Sequence, residues 1–216
     1  MTGRRLVLLR HGRTAWNHSG RAQGHADIAL DPVGHAQAGD AAAYLSSLRP
    51  VGLWSSDLSR AQETCGYLER LTGLSPKYDA RLREFDVGQR QGLTLPELRE
   101  RFPEEYSGWV NGGGMVPVLG GESDADVAER IIPALEECMS SLGEGELGIA
   151  VTHGAALKVA VIGLLGWPAE AYGSLCALDN CAWATLEERG PHRRVRLVGY
   201  NQSVGPGHDS PSRANR

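Results

Sequence analysis

Two histidines followed by glycine stand where the sequence predicts that a buried strand ends. His11 and Gly12 follow the apolar run LVLLR, and His153 and Gly154 follow IAVT. In an open α/β sheet, ligands bind outside the carboxyl ends of the strands, and glycine lets the backbone approach a ligand closely. The two histidines are therefore predicted to reach one crevice, although either His-Gly pair alone is more often structural than catalytic.

Two arginines are predicted at the same crevice. Arg10 directly precedes His11, and Arg60 stands near the start of the helix predicted after WSSDLS. A guanidinium offers a planar fork of donors that suits phosphate or carboxylate. Taken alone, Arg60 is equally consistent with a solvated helix charge, so the prediction of an anion site depends on the arginines and histidines together.

The elements that position these residues alternate between strands and helices. Capping and glycine signals predict a helix after Asp31 and Pro32, a helix from Asp57 that stops at Gly73, and a helix after Ser123. A fourth helix is predicted over 155–165. Apolar runs predict strands at RRLVLLR, VGLWSS, LGIAVT, AWATLEER and RRVRLVGY. This alternation predicts a three-layer α/β/α sandwich around a mainly parallel sheet.

Apolar spacing also predicts which helix faces turn toward the core. The residues expected to face it are Val33, Ala36, Leu45 and Leu48 in the first helix, Ala61, Cys65 and Leu68 in the second, and Val127, Ile131, Leu135 and Cys138 in the third.

A chain of 216 residues is long enough for one substantial core, and we predict a single domain over 1–200. Because residues 201–216 lack apolar periodicity, we predict that they form a disordered tail. The glycine-rich stretch 106–121 predicts an irregular insertion of the kind that often covers a ligand site. Trp109, Met115 and Val116 are its candidates to close over a substrate, and an ordinary packed loop is the alternative.

Composition and charge argue against several classes of protein. The net charge of −4 and the isoelectric point near 6.0 disfavour a broad nucleic-acid footprint. Four cysteines without a Cys-x-x-Cys pair suggest neither a zinc site nor a disulfide framework, and no cofactor is expected. The apolar run Leu6 to Leu9 is too short for a signal peptide, and His153 and Lys158 interrupt the other apolar stretch. A cytoplasmic protein without a membrane span is predicted.

The segment LVLLRHGRTAWN resembles the signature of the histidine phosphatase superfamily, also called phosphoglycerate mutase-like. SSDLSRAQET resembles the second phosphate-pocket segment of that family, and LREFDVGQRQGLT its acid-bearing segment. GGES is similar to a helix-start motif, and VTHG to the segment of the second catalytic histidine. The resemblance covers about 5–200, and all segments occur in the order of the family.

The resemblance implies a role for each matching residue. His11 would be the nucleophile, Glu84 the proton donor, and His153 the residue that completes the pocket, expected to be protonated beside bound substrate. Without the resemblance, Glu84 would be interpreted as a surface carboxylate paired with Arg81 or Arg83. The substrate-binding residues that we predict are Arg10, Arg60, Asn17, Gln23, Gly24 and Gly154. The other histidines are predicted to be surface or structural: His18, His25, His35, His192 and His208.

Within the family, the sequence favours a hydrolase over a cofactor-dependent mutase. After the catalytic glutamate, a mutase would carry an Arg-His-Tyr-Gly type segment, whereas this chain has EFDVGQRQG from Glu84. The resemblance to the phosphatase branch, which includes the actinobacterial glucosyl-3-phosphoglycerate phosphatases, implies metal-independent hydrolysis of a small phosphate monoester. A sugar or glycerate phosphate is the predicted class, with glucosyl-3-phosphoglycerate the specific candidate. A catalytically silent binder of a phosphorylated ligand is a third alternative, and a homodimer is compatible with the family.

Two positions depart from the commonest family pattern. Arg13 stands where an acidic or amide residue usually follows the His-Gly pair, and it is expected either to add positive potential near the entrance or to point to solvent. Ala155 stands after His153 and Gly154 where glycine is common. Neither departure removes a catalytic group, but both are expected to alter the shape of the pocket.

Overall fold

A computed structural model describes residues 3–110, 117–190 and 194–205 of the chain. Six strands form one sheet in the order β3-β2-β4-β1-β5-β6. The strands are β1 (Arg4–Arg10), β2 (Gly52–Ser55), β3 (Lys77–Tyr78), β4 (Leu147–Thr152), β5 (Trp183–Arg189) and β6 (Arg194–Gln202). All strands that the sequence predicted are present, and β3 is an additional short edge strand.

The sheet is mainly parallel, as predicted. β1 lies between β4, with which it pairs in parallel, and β5, with which it pairs antiparallel. β2 and β3 extend the parallel part of the sheet, and β6 is antiparallel to β5. The carboxyl ends of β1, β2 and β4 therefore meet at one edge of the sheet, which is where an α/β protein binds its ligand.

Seven α-helices accompany the sheet among the described residues. They are α1 (Ala15–His18), α2 (Pro32–Ser47), α3 (Ser59–Thr72), α4 (Leu95–Arg101), α5 (Pro103–Val110), α6 (Asp124–Ser140) and α7 (Gly154–Leu165). Asp31 caps α2 through Gly34 N, Ser123 caps α6 through Asp126 N, and α3 ends at Gly73, whose φ is 72°. These are the start and stop signals that the sequence predicted.

Two hydrophobic cores lie on opposite faces of the sheet. Along β1, Leu6 and Leu8 pack with α6 and α7, whereas Val7 and Leu9 pack with α2 and α3. A strand buried on both faces must be apolar at every position, which explains the continuous run in the sequence. The three-layer α/β/α sandwich is confirmed.

The faces of α3 and α6 are buried as predicted, but the face of α2 is not. Val33, Ala36 and Leu48 are exposed, and only Leu45 of the four predicted positions is buried. The residues that α2 buries are Gly34, Ala38, Ala41, Ala42 and Leu45. Alanines let α2 approach the sheet and α3 closely, and their weak hydrophobicity leaves little periodic signal in the sequence.

Other predicted boundaries also differ from the structure. Residues Tyr106 to Val110 belong to α5, so the stretch 106–121 is not irregular throughout. The predicted lid residues Met115 and Val116, and the side chain of Trp109, lie outside the described residues. β6 continues to Gln202, two residues past the predicted end of the domain, and 206–216 lie outside the described residues. In the described part of the chain, no helix is long and apolar enough to span a membrane.

Candidate active site

Adjacent strands bring the two histidines together. Arg10 at the end of β1 pairs with Thr152 at the end of β4, and His11 N donates to Thr152 O over 3.0 Å. The rings of His11 and His153 lie 5.1 Å apart between centroids. The crevice predicted from the two strand ends is therefore present in the fold.

The imidazole of His11 is held in one tautomer by its own backbone. Nδ1 lies 2.7 Å from Gly12 O, and since a carbonyl only accepts, Nδ1 carries the proton. The ring is 2% exposed, and burial together with the positive charges of Arg60 and Arg10 holds its pKa well below 6.5. Nε2 is consequently an unprotonated nitrogen, which is the form that a nucleophile requires.

The imidazole of His153 is held by two side chains. Arg60 Nε donates to Nδ1 over 3.2 Å, which leaves the proton of the neutral ring on Nε2, and Nε2 donates to Ser56 Oγ over 2.9 Å. Burial, Arg60 and His11 lower the pKa of His153 well below 6.5. The expected protonation of His153 beside substrate would require Arg60 to release Nδ1.

Arg60 is a buried member of the pocket and not a solvated helix charge. Its Nη1 and Nη2 donate to Ala26 O and Gly24 O, each over 2.8 Å, in addition to the bond from Nε to His153. Burial lowers its pKa to about 10, which leaves the guanidinium charged at neutral pH. A guanidinium has five N–H donors, so two remain beyond these three bonds.

Arg10 has a buried N–H donor for which the described part of the chain provides no acceptor. Nη1 donates to Leu178 O, whereas Nε is buried and is the one such side-chain atom without a hydrogen bond in the described residues. A methyl group on Gly154 would lie 3.2 Å from that Nε, so glycine makes room for the guanidinium. An unpaired buried donor is costly, so Arg10 Nε has the hydrogen-bonding capacity to bind an anion.

Glu84 faces the start of α7. Its Oε1 accepts from Ala156 N over 2.8 Å and from Phe85 N over 3.1 Å, and its Oε2 accepts from Ala155 N over 3.1 Å. The residues with which a surface Glu84 would have paired are engaged elsewhere: Arg81 with Asp79 and Glu137, and Arg83 with Asp57. The carboxylate thus reaches across to the residues that follow His153.

The remaining predicted residues, Asn17, Gln23 and Gly24, are held in place by hydrogen bonds or by close packing. Asn17 Oδ1 accepts from the backbone and hydroxyl of Thr14, each over 3.1 Å, and from Asn180 Nδ2 over 3.2 Å. Gln23 Oε1 accepts from Thr14 Oγ1 over 2.9 Å. Gly24 has φ of 52°, and a methyl group there would lie 2.5 Å from Val87 Cγ2, so both the backbone conformation and the space require glycine.

The two departures from the family pattern have structural explanations. Arg13 neither points to solvent nor lies free at the entrance, because its Nε donates to Asp31 Oδ2 over 2.8 Å, at the cap of α2. Ala155 contributes only its backbone N–H to Glu84. Neither residue displaces the side chains of Arg10, His11, Glu84 or His153 from the contacts described above.

Sequence reasoning missed two buried hydroxyl groups. Ser56 Oγ accepts a hydrogen bond from His153 Nε2, and Thr64 Oγ1 accepts from Gly12 N over 3.0 Å while it donates to Arg60 O over 2.7 Å. Both lie in the segment SSDLSRAQET that was matched to the family. Serine and threonine are frequent at strand ends and in helices, so only the fold shows which of them contact the site.

No group of three or more His, Cys, Asp or Glu side chains in the described ranges is arranged to hold a metal ion. Beside the two histidines, the guanidinium groups of Arg10 and Arg60 supply positive charge that can stabilise a bound phosphate. The expectation of a metal-independent reaction stays a prediction.

Comparison with characterised proteins agrees with this geometry. A family model described as the histidine phosphatase superfamily (branch 1) matches residues 6–201. Glucosyl-3-phosphoglycerate phosphatase of Mycolicibacterium vanbaalenii is 35% identical over 211 residues, which cover 95% of this chain and 88% of that protein. A probable phosphoglycerate mutase, GpmB, of Salmonella paratyphi A is 35% identical over 186 residues, which cover 84% of each.

A solved structure of mycobacterial glucosyl-3-phosphoglycerate phosphatase in complex with VO3 has a TM-score of 0.86 and 35% identity to this chain. The match covers 93% of this chain and all of the solved chain. These findings support a phosphatase over the mutase alternative. The chain therefore belongs to branch 1 of the histidine phosphatase superfamily and is a phosphoric monoester hydrolase of the histidine phosphatase type.

Proposed function

We propose that the protein hydrolyses a sugar or glycerate phosphate, with glucosyl-3-phosphoglycerate the specific candidate, through a phosphohistidine on His11. The observation that carries the proposal is the tautomer of His11, because the bond from Nδ1 to Gly12 O leaves Nε2 as the attacking nitrogen. The two relatives described as glucosyl-3-phosphoglycerate phosphatase support the specific candidate.

The phosphoryl group binds between the two arginines. Arg10 Nε, which has no hydrogen-bond partner among the described residues, and the two remaining donors of Arg60 bind the phosphoryl oxygens beside the two histidines. Phosphoryl transfer requires mainly positioning and stabilisation of the charge on three equatorial oxygens. Both arginines are fixed before substrate arrives, so little reorganisation is needed during the reaction.

The first chemical step forms a bond from His11 Nε2 to phosphorus and breaks the bond from phosphorus to the ester oxygen. Glu84 gives its proton to that oxygen, which leaves as the alcohol. The three backbone donors to Glu84 define where the carboxyl stands when it delivers the proton.

The second step returns the enzyme to its starting form. Glu84, now a carboxylate, takes a proton from a water molecule, and the oxygen of that water bonds to phosphorus. The bond from phosphorus to His11 Nε2 breaks, and inorganic phosphate leaves. His153, oriented by Arg60 and Ser56, faces the charge that develops on the phosphoryl oxygens.

Three further features belong to the proposal. We propose a cytoplasmic location, supported by the free thiols of Cys65, Cys138, Cys176 and Cys181, which suit a reducing compartment. The net charge of −4 supports a small-molecule substrate and not a nucleic acid. A homodimer is proposed on the resemblance to the family alone.

The experiment measures phosphate release in EDTA from glucosyl-3-phosphoglycerate, 3-phosphoglycerate, sugar phosphates and p-nitrophenyl phosphate. Wild type is compared with His11→Ala. Release by the wild type alone, with the highest kcat/KM for glucosyl-3-phosphoglycerate, supports the proposal. Equal release by the two proteins contradicts the role of His11, dependence on added metal contradicts the metal-independent reaction, and interconversion of phosphoglycerates without phosphate release would favour a mutase.

A further inference from the structure

His25 was expected to be a surface or structural histidine, but it contacts the segment that carries Glu84. Its Nε2 lies 2.9 Å from Glu84 O, and since a carbonyl only accepts, Nε2 donates. Its Nδ1 lies 3.8 Å from Asp86 Oδ2. The side chain is about one-third exposed, so the contact stands at the edge of the pocket.

The residues on both sides of His25 hold the phosphate-binding arginine. Gly24 O and Ala26 O each accept a bond of 2.8 Å from Arg60. One residue further, Asp27 accepts from the backbone and hydroxyl of Ser59 at the start of α3. The loop that carries His25 is thus fixed to the phosphate side of the site, while the ring of His25 reaches the acid side.

A second donor meets Glu84 O from α6. Arg130 Nη2 donates to Glu84 O over 2.8 Å, and its Nη1 donates to Arg81 O and Arg83 O. The Nε and Nη2 of Arg130 also donate to the two carboxylate oxygens of Glu122. Arg130 therefore fixes the segment 81–84, which contains the end of a short 3-10 helix, against α6. His25 differs from Arg130 because it joins that segment to the loop that holds Arg60.

We propose that His25 is a positioning residue that sets the distance between Glu84 and the phosphate held by Arg60. This inference depends on the proposed function, in which Glu84 protonates the leaving alcohol. If the Glu84 carboxyl moves away from the ester oxygen, proton transfer to that oxygen becomes slower, while Arg10 and Arg60 still bind the phosphate. Misplacement of a reacting group by about 1 Å can reduce a rate about 100-fold.

The leaving group provides the test. An alkoxide needs a proton in order to leave, as in 3-phosphoglycerate, whereas p-nitrophenolate is a weak base that leaves without one. All comparisons use kcat/KM, which covers the steps up to departure of the alcohol and excludes the second step, in which Glu84 serves both substrates alike. In His25→Ala, kcat/KM for 3-phosphoglycerate is expected to fall about 10-fold to 100-fold, and kcat/KM for p-nitrophenyl phosphate much less. His25→Gln, whose amide N–H can donate to Glu84 O, is expected to regain most of the loss.

The control is His35→Ala, which removes another partly buried histidine whose ring nitrogen has one hydrogen bond, here with Tyr67. It is expected to leave both rates unchanged. An equal loss on both substrates in His25→Ala, or no recovery in His25→Gln, would overturn the inference. His25→Gln and thermal melts keep the test decisive if His25→Ala folds poorly.

Glu84→Gln, measured in parallel, separates this inference from the function on which it depends. A selective loss for 3-phosphoglycerate in Glu84→Gln, without one in His25→Ala, overturns only the role of His25. If Glu84→Gln itself loses the same factor on both substrates, the acid role of Glu84 fails and the inference fails with it.

Discussion

The two His-Gly pairs look alike in sequence but are built differently. His11 is bonded to the backbone of its own neighbour, Gly12 O, and keeps Nε2 without a proton. His153 uses both ring nitrogens on side chains, with Arg60 at Nδ1 and Ser56 at Nε2. A ring that must form a bond to phosphorus needs one nitrogen left available, whereas a ring that stabilises charge needs a fixed orientation.

The comparison predicts that the two histidines differ most in covalent chemistry. His11→Ala should lose at least about 10⁴-fold in kcat, since it removes the nucleophile, and His153→Ala about 100-fold to 1,000-fold. Denaturation in alkaline detergent after reaction with phosphoryl-labelled substrate should recover phosphorylated protein from His153→Ala and none from His11→Ala, because phosphohistidine is hydrolysed in acid and stable in base. His35→Ala serves as the control. Labelled protein from His11→Ala would show that another residue accepts the phosphoryl group.

Gly12 is predicted to be required for stability, and Gly154 for substrate binding. A methyl group on Gly12 would lie 2.5 Å from Gly34 O, a backbone atom, whereas a methyl group on Gly154 would meet the side chain of Arg10 at 3.2 Å. Gly12→Ala should therefore lower the free energy of unfolding by about 1–3 kcal/mol. Gly154→Ala should keep its stability and raise KM about 10-fold to 100-fold because it displaces Arg10.

Urea unfolding and steady-state kinetics measure both effects. Gly66→Ala is the control, since a methyl group there meets nothing closer than Arg70 Nη1 at 3.5 Å within α3. An unstable Gly154→Ala with unchanged KM would contradict the assignment of that glycine to the anion site.

His153, unlike His11, depends on a side-chain acceptor, the hydroxyl of Ser56. Ser56→Ala leaves the Nε2 proton of His153 without its acceptor, and we expect kcat to fall about 10-fold. Ser55→Ala is a matched control, because Ser55 is also fully buried and its hydroxyl donates to Ser56 O and not to a histidine. Ser56→Cys, a weaker acceptor of similar size, should lie between Ser56→Ala and wild type. Equal losses in Ser55→Ala and Ser56→Ala would reduce Ser56 to a packing role.

The sequence predicted the shared crevice because strand ends of a parallel sheet must meet, whatever the contacts in between. It did not predict the partners of Glu84, since Ala155 and Ala156 lie more than 70 residues away and donate through backbone atoms that carry no residue-type signal. Ser56 and His25 were missed for the same reason: their roles depend on which tertiary neighbour their common side chains meet.

Packing details were hardest to predict where the side chains were small. α2 packs through alanines, and its larger residues Val33 and Leu48 lie outside, so apolar size misled the prediction of its face. α6 has a strong apolar stripe, and there the prediction is confirmed. A buried face can be read from sequence when large apolar residues recur at helical spacing, and not when close approach requires alanine.

The smallest predicted effect concerns the pH dependence of stability, to which His11 and His153 should contribute alike. Burial is the largest cause and Arg60 the next of the lowered pKa in both rings. As pH falls below about 6.5, the unfolded chain binds a proton at each ring before the folded protein does, so stability that is complete above that pH is progressively lost. His11→Gln and His153→Gln should each reduce this slope by up to about 1.4 kcal/mol per pH unit, measured by urea unfolding between pH 7 and 5. If only one of these two variants shows a reduced slope, the shared burial and positive charge do not explain why the rings stay neutral. The hydrogen bonds, which differ between His11 and His153, would then be the cause.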